Sequence, residues 1–479
     1  MSDGRIYLNG INGLTGEYLA PPLTPTEAAA LARQTPPAQE KAVWFSQLIS
    51  KLTGRFFGLP MDVDPLDLGQ AGWAVVFTPD TPEEVRKALQ PLIDHRSRQA
   101  PPDRCKLLTY TPGQSREAWL TQHGAHGADV EPTRVPYYVL LAAGPETVPF
   151  EFQYELDVDY AVGRLAFDRP EDYRRYAEAV VAYEMGGGVA NGREAVYWGT
   201  RHEADPATQL SAEYLITPLF RGEPAAGSTP ARQAIAEKMK FRSRCLLGDE
   251  ATKQGLLELL HSRGHASPSL LVTASHGMGG WPKGNPRERG SNGALLCQDW
   301  PGFGRIKPEH YLTAAEIEAD ARLHGLVAFV FACYGAGTPR YDNFLRRPGQ
   351  GPVEIAERPF VAALPQRLLA GGALAVIGHV ERAWGYSIQP PGVGAQLLPF
   401  RNLIGRVLAG EPVGHATMDF SQRYATSSVA LLNKLSPSQP GALAATDQDL
   451  AWTWVERNDA QNYVVLGDPA VRLRTDDLK

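Results

Sequence analysis

Short apolar runs bounded by turn residues recur along this chain: Trp73–Phe77, Tyr137–Ala142, Ala195–Gly199, Leu270–Ala274, Leu326–Ala332 and Leu374–Gly378. They are strand-length, and their lack of a polar face marks strands buried on both sides, the usual state of a parallel sheet. Amphipathic stretches lie between them. Thr78-Pro79-Asp80-Thr81-Pro82-Glu83-Glu84 opens a helix with Val85, Leu89 and Leu92 on one face. Arg169-Pro170-Glu171-Asp172 opens another, with Tyr173, Tyr176, Val180 and Tyr183 at helical spacing. From residue 72 onward this alternation predicts an α/β fold, a mostly parallel sheet flanked by helices.

A chain of 479 residues exceeds what one core usually holds. The most linker-like stretch is Met185–Gly192, with four glycines in eight residues. The expected division is therefore an N-terminal segment 1–71, a first α/β subdomain 72–190 and a second 191–479. Within the first segment Glu27–Gln34 and Glu40–Leu52 read as helical, with no role assigned.

Lys plus Arg is 47 and Asp plus Glu 53, a net charge of −6 without blocks of one sign, which argues against a nucleic-acid or anionic-membrane partner. The four cysteines, Cys105, Cys245, Cys297 and Cys333, have no metal-ligand spacing and read as free thiols of a reducing compartment. No secretory-type or membrane-length apolar stretch occurs, so the expected location is cytoplasmic. The glycine pairs at 279–280 and 335–337 lack the Lys-Ser/Thr of a phosphate loop, no HExxH is present, and Asp447-Gln448-Asp449 lacks the Gly and Glu of a calcium loop. No cofactor or metal is expected.

Two motifs carry chemistry. In Leu270-Leu-Val-Thr-Ala-Ser-His276-Gly277 an apolar strand ends in a histidine followed by glycines. An imidazole at a strand's carboxyl end stands where α/β folds bind ligands and serves as a base near neutral pH. Gly277 leaves its N–H open to a close-approaching oxygen. In Leu326–Ala332-Cys333-Tyr-Gly335-Ala-Gly337 a second apolar strand ends in a cysteine. Alone, that thiol reads as packing and that histidine as a loop residue bonded to a carbonyl. Together, at two strand ends, they form a base and a nucleophile for attack on a carbonyl.

The order His then Cys, 57 residues apart, and the core Ala332-Cys333-Tyr334-Gly335 resemble the caspase–hemoglobinase clan of cysteine peptidases, although Phe331 stands where Gln is usual. Tyr137–Leu141, Val162-Gly-Arg-Leu165, Ile377-Gly-His379 to Trp384 and Leu466-Gly-Asp-Pro-Ala-Val-Arg-Leu473 extend the likeness toward gingipain-type peptidases and the caspase-like domains found beside tetratricopeptide repeats. The resemblance implies two stacked α/β subdomains, a Cys333–His276 dyad forming an acyl-enzyme, and an oxyanion site at the Gly277 and Cys333 amides. Trp384 falls at the substrate-pocket wall. Glu203 falls where the family orients its histidine. Where the Arg-cutting type carries a pocket aspartate on a helix, Pro206-Ala-Thr-Gln-Leu210 offers Thr208, so arginine specificity does not carry over; Asp205 and Glu381 are the nearby acids for a basic pocket.

The expected function is thus a regulated intracellular cysteine endopeptidase with protein or peptide substrates, held in check by residues 1–71, by a protein partner, or by cleavage in a loop such as Pro282–Asn292. The alternatives are a catalytically silent caspase-like scaffold and a thiol hydrolase of non-peptide acyl groups.

Overall fold

Ten strands join into one sheet: β1 (Trp73–Phe77), β2 (Cys105–Thr109), β3 (Tyr138–Leu141), β4 (Ala161–Arg164), β5 (Gly192–Gly199), β6 (Arg242–Leu247), β7 (Pro268–Ala274), β8 (Val327–Phe331), β9 (Ala375–His379) and β10 (Tyr463–Gly467). The computed structural model describes residues 4–34, 59–126, 129–186, 191–225, 230–262, 266–342, 344, 352–390, 394–436 and 444–479. The spatial order is β2-β1-β3-β4-β10-β9-β8-β7-β5-β6. Every neighbouring pair is parallel except β9 and β10. The strands of residues 72–190 thus fill one side of a single continuous sheet and those of 191–379 the other, with the C-terminal strand between them.

Burial follows position in the sheet. Every residue of β1, β3, β4, β7, β8, β9 and β10 is buried, whereas the outer strands β2 and β6 are partly or fully exposed at every position but Leu108. Helices cover the faces. α2 (Glu83–Gln99) buries Val85, Leu89 and Leu92, and α3 (Pro170–Met185) buries Tyr173, Tyr176, Val180 and Tyr183, the faces read from their spacing. An ion network binds this layer to the C-terminal turn: Arg96 of α2 pairs with Glu184 of α3 and with Asp468 at 2.7 Å each, and Asp468 also accepts the Trp73 indole N–H at 2.9 Å.

The N-terminal residues do not stand apart from the α/β halves. α1 (Pro25–Gln34) packs on α5 (Asp447–Gln461), with Arg33 and Asp447 2.6 Å apart. Residues 4–24 cross the carboxyl edge of the sheet, where Gly10–Asn12 pairs in parallel with Gly277–Gly279. The expected helix Glu40–Leu52 lies outside the described residues, as does the middle of the expected linker. The linker's far end is packed: Asn191 is buried and its Nδ2 donates to the Pro268 carbonyl at 3.2 Å. No helix among the described residues is long and apolar enough to cross a membrane.

Candidate active site

Strands β7 and β8 run in register, Ala274 opposite Phe331, and each chain leaves the sheet by one residue before its reactive one, Ser275 then His276, Ala332 then Cys333. The two exit loops meet at Gly277, where a Cβ would lie 1.8 Å from the Cys333 carbonyl oxygen; only glycine permits that approach. Tyr334 takes a left-handed φ of 58°, a conformation non-glycine residues adopt rarely. The resulting bend lets the Tyr334 N–H donate to the Glu381 carbonyl and the Ala336 N–H to that of His379, 2.9 Å each, which fastens the cysteine loop to the exit of β9.

The third group comes from beyond β5. Asp205 caps α4 (Pro206–Ser211), its Oδ1 accepting from the Ala207 N–H at 3.2 Å. Its Oδ2 lies 2.5 Å from His276 Nε2 and accepts the Thr208 hydroxyl at 2.9 Å, and the Tyr18 hydroxyl donates to Oδ1. Burial alone would raise the Asp205 pKa; the charge and hydrogen bond of His276, then the Tyr18 and Thr208 bonds, overcome it and hold the carboxyl below its usual range. Beside this pair, burial and then the charge of His276 push His202 down to about 4, leaving it neutral. Tyr18 and Trp300 set their rings edge-on to His276 at 5.6 and 6.4 Å. Among the described residues His276 Nδ1 has no hydrogen-bond partner. Sheet order thus aligns four contributions, from the exits of β9, β8, β7 and β5: Ala383, Cys333, His276 and Asp205.

Cys333 is fully buried, and burial pushes its thiol well up. The Ala383 N–H donates to its sulfur at 3.2 Å. The cover over it is the N-terminal crossing segment. The carbonyl oxygen of Asn9 accepts from the N–H groups of both Gly277 and Cys333, at 3.0 Å each, and the Asn9 N–H donates to the Ala383 carbonyl at 2.8 Å. Leu8 bridges Trp384 in antiparallel fashion. Gly10 lies so near the thiol that a Cβ there would sit 2.7 Å from the sulfur. A thiol beside two amides aimed at one carbonyl oxygen is an arrangement suited to acyl transfer.

The structure brings His276, Cys333 and Gly277 to one rim. Glu203 is exposed, and the carboxylate at the histidine is Asp205, two residues on, because the cap of α4 turns that side chain inward. Asp205 and Thr208 accordingly belong to the histidine and do not line a basic pocket. Glu381 is buried beside Arg382 at 3.3 Å, and Arg382 in turn pairs with Asp342; a carboxylate so engaged does not offer itself to a basic substrate. The indole of Trp384 packs on Phe344 and Trp454 at 5.1 and 6.3 Å, while its backbone meets Leu8. Sequence reasoning missed Asn9, Tyr18, Ser211 and Ala383. Asn9, Ser211 and Ala383 act through backbone or short polar groups with no periodic signal, and Tyr18 lies in a segment without assigned elements. A surface cavity of about 780 Å³ lies away from the covered thiol, along Arg242, Arg244 and His261 at the outer strand.

Neither a family model nor a curated protein matches the chain. Among solved structures it is similar to the Arg-specific cysteine proteinase gingipain R (11% identity, 86% of this chain and 80% of that one, TM-score 0.45) and to the Porphyromonas gingivalis RgpB pro- and mature-domain complex (11%, 84% and 80%, 0.44). It is also similar to the Saccharomyces cerevisiae separase–securin complex (10%, 69% of this chain and 15% of that one, 0.32).

Proposed function

We propose that this chain is a cysteine endopeptidase. In this reading Cys333 attacks a peptide carbonyl, the Gly277 and Cys333 amides hold the developing oxyanion, His276 carries the proton from thiol to leaving amine, and Asp205 orients the imidazole. One observation carries it: two N–H groups converge at 3.0 Å on a single peptide carbonyl oxygen, that of Asn9, beside the Cys333 sulfur. The extended backbone contacts on the acyl side, Asn9 N–H to Ala383 and Leu8 to Trp384, favour a peptide over another acyl group. Scattered free cysteines suit a reducing, cytoplasmic setting; protein substrates and a regulating partner belong to the same reading.

The scaffold reading draws on the same cover, since a sealed, protonated thiol is idle. A set of peptidyl electrophiles differing in the residue beside the reactive group separates the two. Labelling of the wild-type chain and not of Cys333→Ala supports the peptidase; a wild-type chain that no member labels supports the scaffold.

A further inference from the structure

We infer that the Asn9–Gly10 peptide bond of the chain itself is bound here as a substrate, and that the site selects asparagine before the cut and glycine after it. The inference rests on the peptidase reading above and names its substrate class.

Residues 6–23 form a hairpin laid over the site. Ile6 pairs with Leu23 and Ile11 with Tyr18, both antiparallel. The incoming arm places the Asn9 carbonyl between the two amides, and the returning arm places the Tyr18 hydroxyl on Asp205. The Asn9 side chain is fully buried. Its Nδ2 donates to Ser211 Oγ at 3.3 Å, and its Oδ1 has no hydrogen-bond partner among the described residues. Ser211 gives its own proton to the Thr208 carbonyl at 3.2 Å, which leaves its oxygen as an acceptor. An aspartate in the same place would set oxygen against oxygen and bury a charge. A basic side chain finds no open carboxylate, since Asp205 is engaged by His276, Tyr18 and Thr208. On the other side of the bond, a Cβ on Gly10 would meet Leu19 Cδ1 at 2.5 Å as well as the sulfur at 2.7 Å, so the first residue after the cut has room for hydrogen only.

The reaction balances with water as its one co-reactant. The Cys333 thiol passes its proton to His276 and its sulfur bonds to the Asn9 carbonyl carbon, the carbonyl electron pair moving onto the oxygen between the amides. That pair returns, the bond to the Gly10 nitrogen breaks, and His276 gives the proton to that nitrogen. Water then adds to the Asn9 thioester, one of its protons passing through His276 to the leaving sulfur. Residues 1–9 depart with a new carboxylate, and the thiol is restored.

Intact mass and N-terminal sequencing of the purified full chain over time test this. The expected result is a product beginning at Gly10 from the wild type, none from Cys333→Ala, and a rate at least about 100-fold lower for Asn9→Asp, the penalty of a buried charge and a lost bond to Ser211. A synthetic Ile-Tyr-Leu-Asn-Gly-Ile-Asn peptide added to the wild-type chain should be cut after its first Asn, and its Asp counterpart refused; this arm does not depend on how any variant folds. Cleavage that persists in Cys333→Ala, a cut at another bond, or equal rates for Asn and Asp overturns the inference. An uncut chain whose Cys333 is labelled only by electrophiles carrying other residues removes the asparagine selectivity and leaves the peptidase reading standing. No cut together with no labelling removes both.

Discussion

The Asp205 carboxylate stands 2.5 Å from His276 Nε2 on one oxygen and receives the Tyr18 hydroxyl on the other. In the proposed mechanism a charge so placed fixes the tautomer that leaves Nδ1 for the thiol and stabilises the imidazolium formed when the thiol ionises. Asp205→Asn keeps the cap of α4 and an acceptor for Tyr18, yet loses the charge. Hydrolysis, or labelling of Cys333, should slow roughly 10²- to 10⁴-fold while circular dichroism reports an unchanged fold. Because the folded pKa of Asp205 is depressed, its stabilisation is present above the unfolded value near 3.8 and disappears as pH falls below it. A rate within twofold of wild type at neutral pH would remove Asp205 from the mechanism.

The four thiols should fall into two classes. Cys105 and Cys245 are half-buried, whereas Cys297 and Cys333 are buried; burial pushes all four thiols up, so access decides which of them a reagent reaches. In the uncut chain a native thiol titration is expected to give two fast and two protected groups. Gly10→Ala forces a methyl within 2.7 Å of the Cys333 sulfur, so the hairpin must lift and Cys333 should join the fast class. Peptide mapping of the alkylated variant checks it, and a Cys333 that stays protected in Gly10→Ala means that the hairpin is not its cover.

The strands that sequence reveals are those buried on both faces. Trp73–Phe77 matches its element end to end, and Leu270–Ala274 and Leu326–Ala332 match theirs to within two residues, because nothing polar interrupts a strand with sheet on both sides. Cys105–Thr109 and Arg242–Leu247 escape the same reading: as outer strands they mix Lys, Thr, Arg and Ser with their apolar residues. At the site, His276 and Cys333 are legible because each follows an apolar strand directly. Asp205 is readable as an acid near the site but not as the histidine's partner, since the choice between Glu203 and Asp205 is made by a helix cap, a matter of one turn of backbone. The role of Asn9 depends on a contact with residues 268 and 324 positions away in the sequence, Gly277 and Cys333, which no local pattern encodes.

Asp468 supplies a stability prediction remote from the chemistry. Its side chain meets Arg96 and the Trp73 indole, and its N–H donates to the Tyr176 hydroxyl at 2.6 Å. Asp468→Ala strips one counter-charge from a buried guanidinium and orphans a buried indole N–H. Glu184 remains beside Arg96, so the loss should be about 3 kcal/mol, the low end for breaking a buried pair. Urea unfolding measures it. A change under 1 kcal/mol would show that the network contributes little, and activity per folded molecule should not change.

His415 supplies the acid limb of stability. Its Nδ1 accepts the Tyr137 hydroxyl at 2.9 Å. Burial, and then the positive charge of Arg406, push its pKa down to about 4 against the opposing pull of Asp419 and Asp64. The unfolded chain, with its histidine near 6.5, therefore takes up a proton between pH 6.5 and 4 that the folded chain refuses. Stability from this group is full above pH 6.5 and falls as pH drops toward 4, by an amount on the order of 2 kcal/mol once its partial exposure is allowed for. His415→Gln keeps a polar partner for Tyr137 and has nothing to titrate. Plotted against pH, its unfolding free energy should be flatter than that of the wild type across this window. Parallel curves from pH 7 to 4 would locate the acid sensitivity in another group, with His202, also near 4, the next to replace.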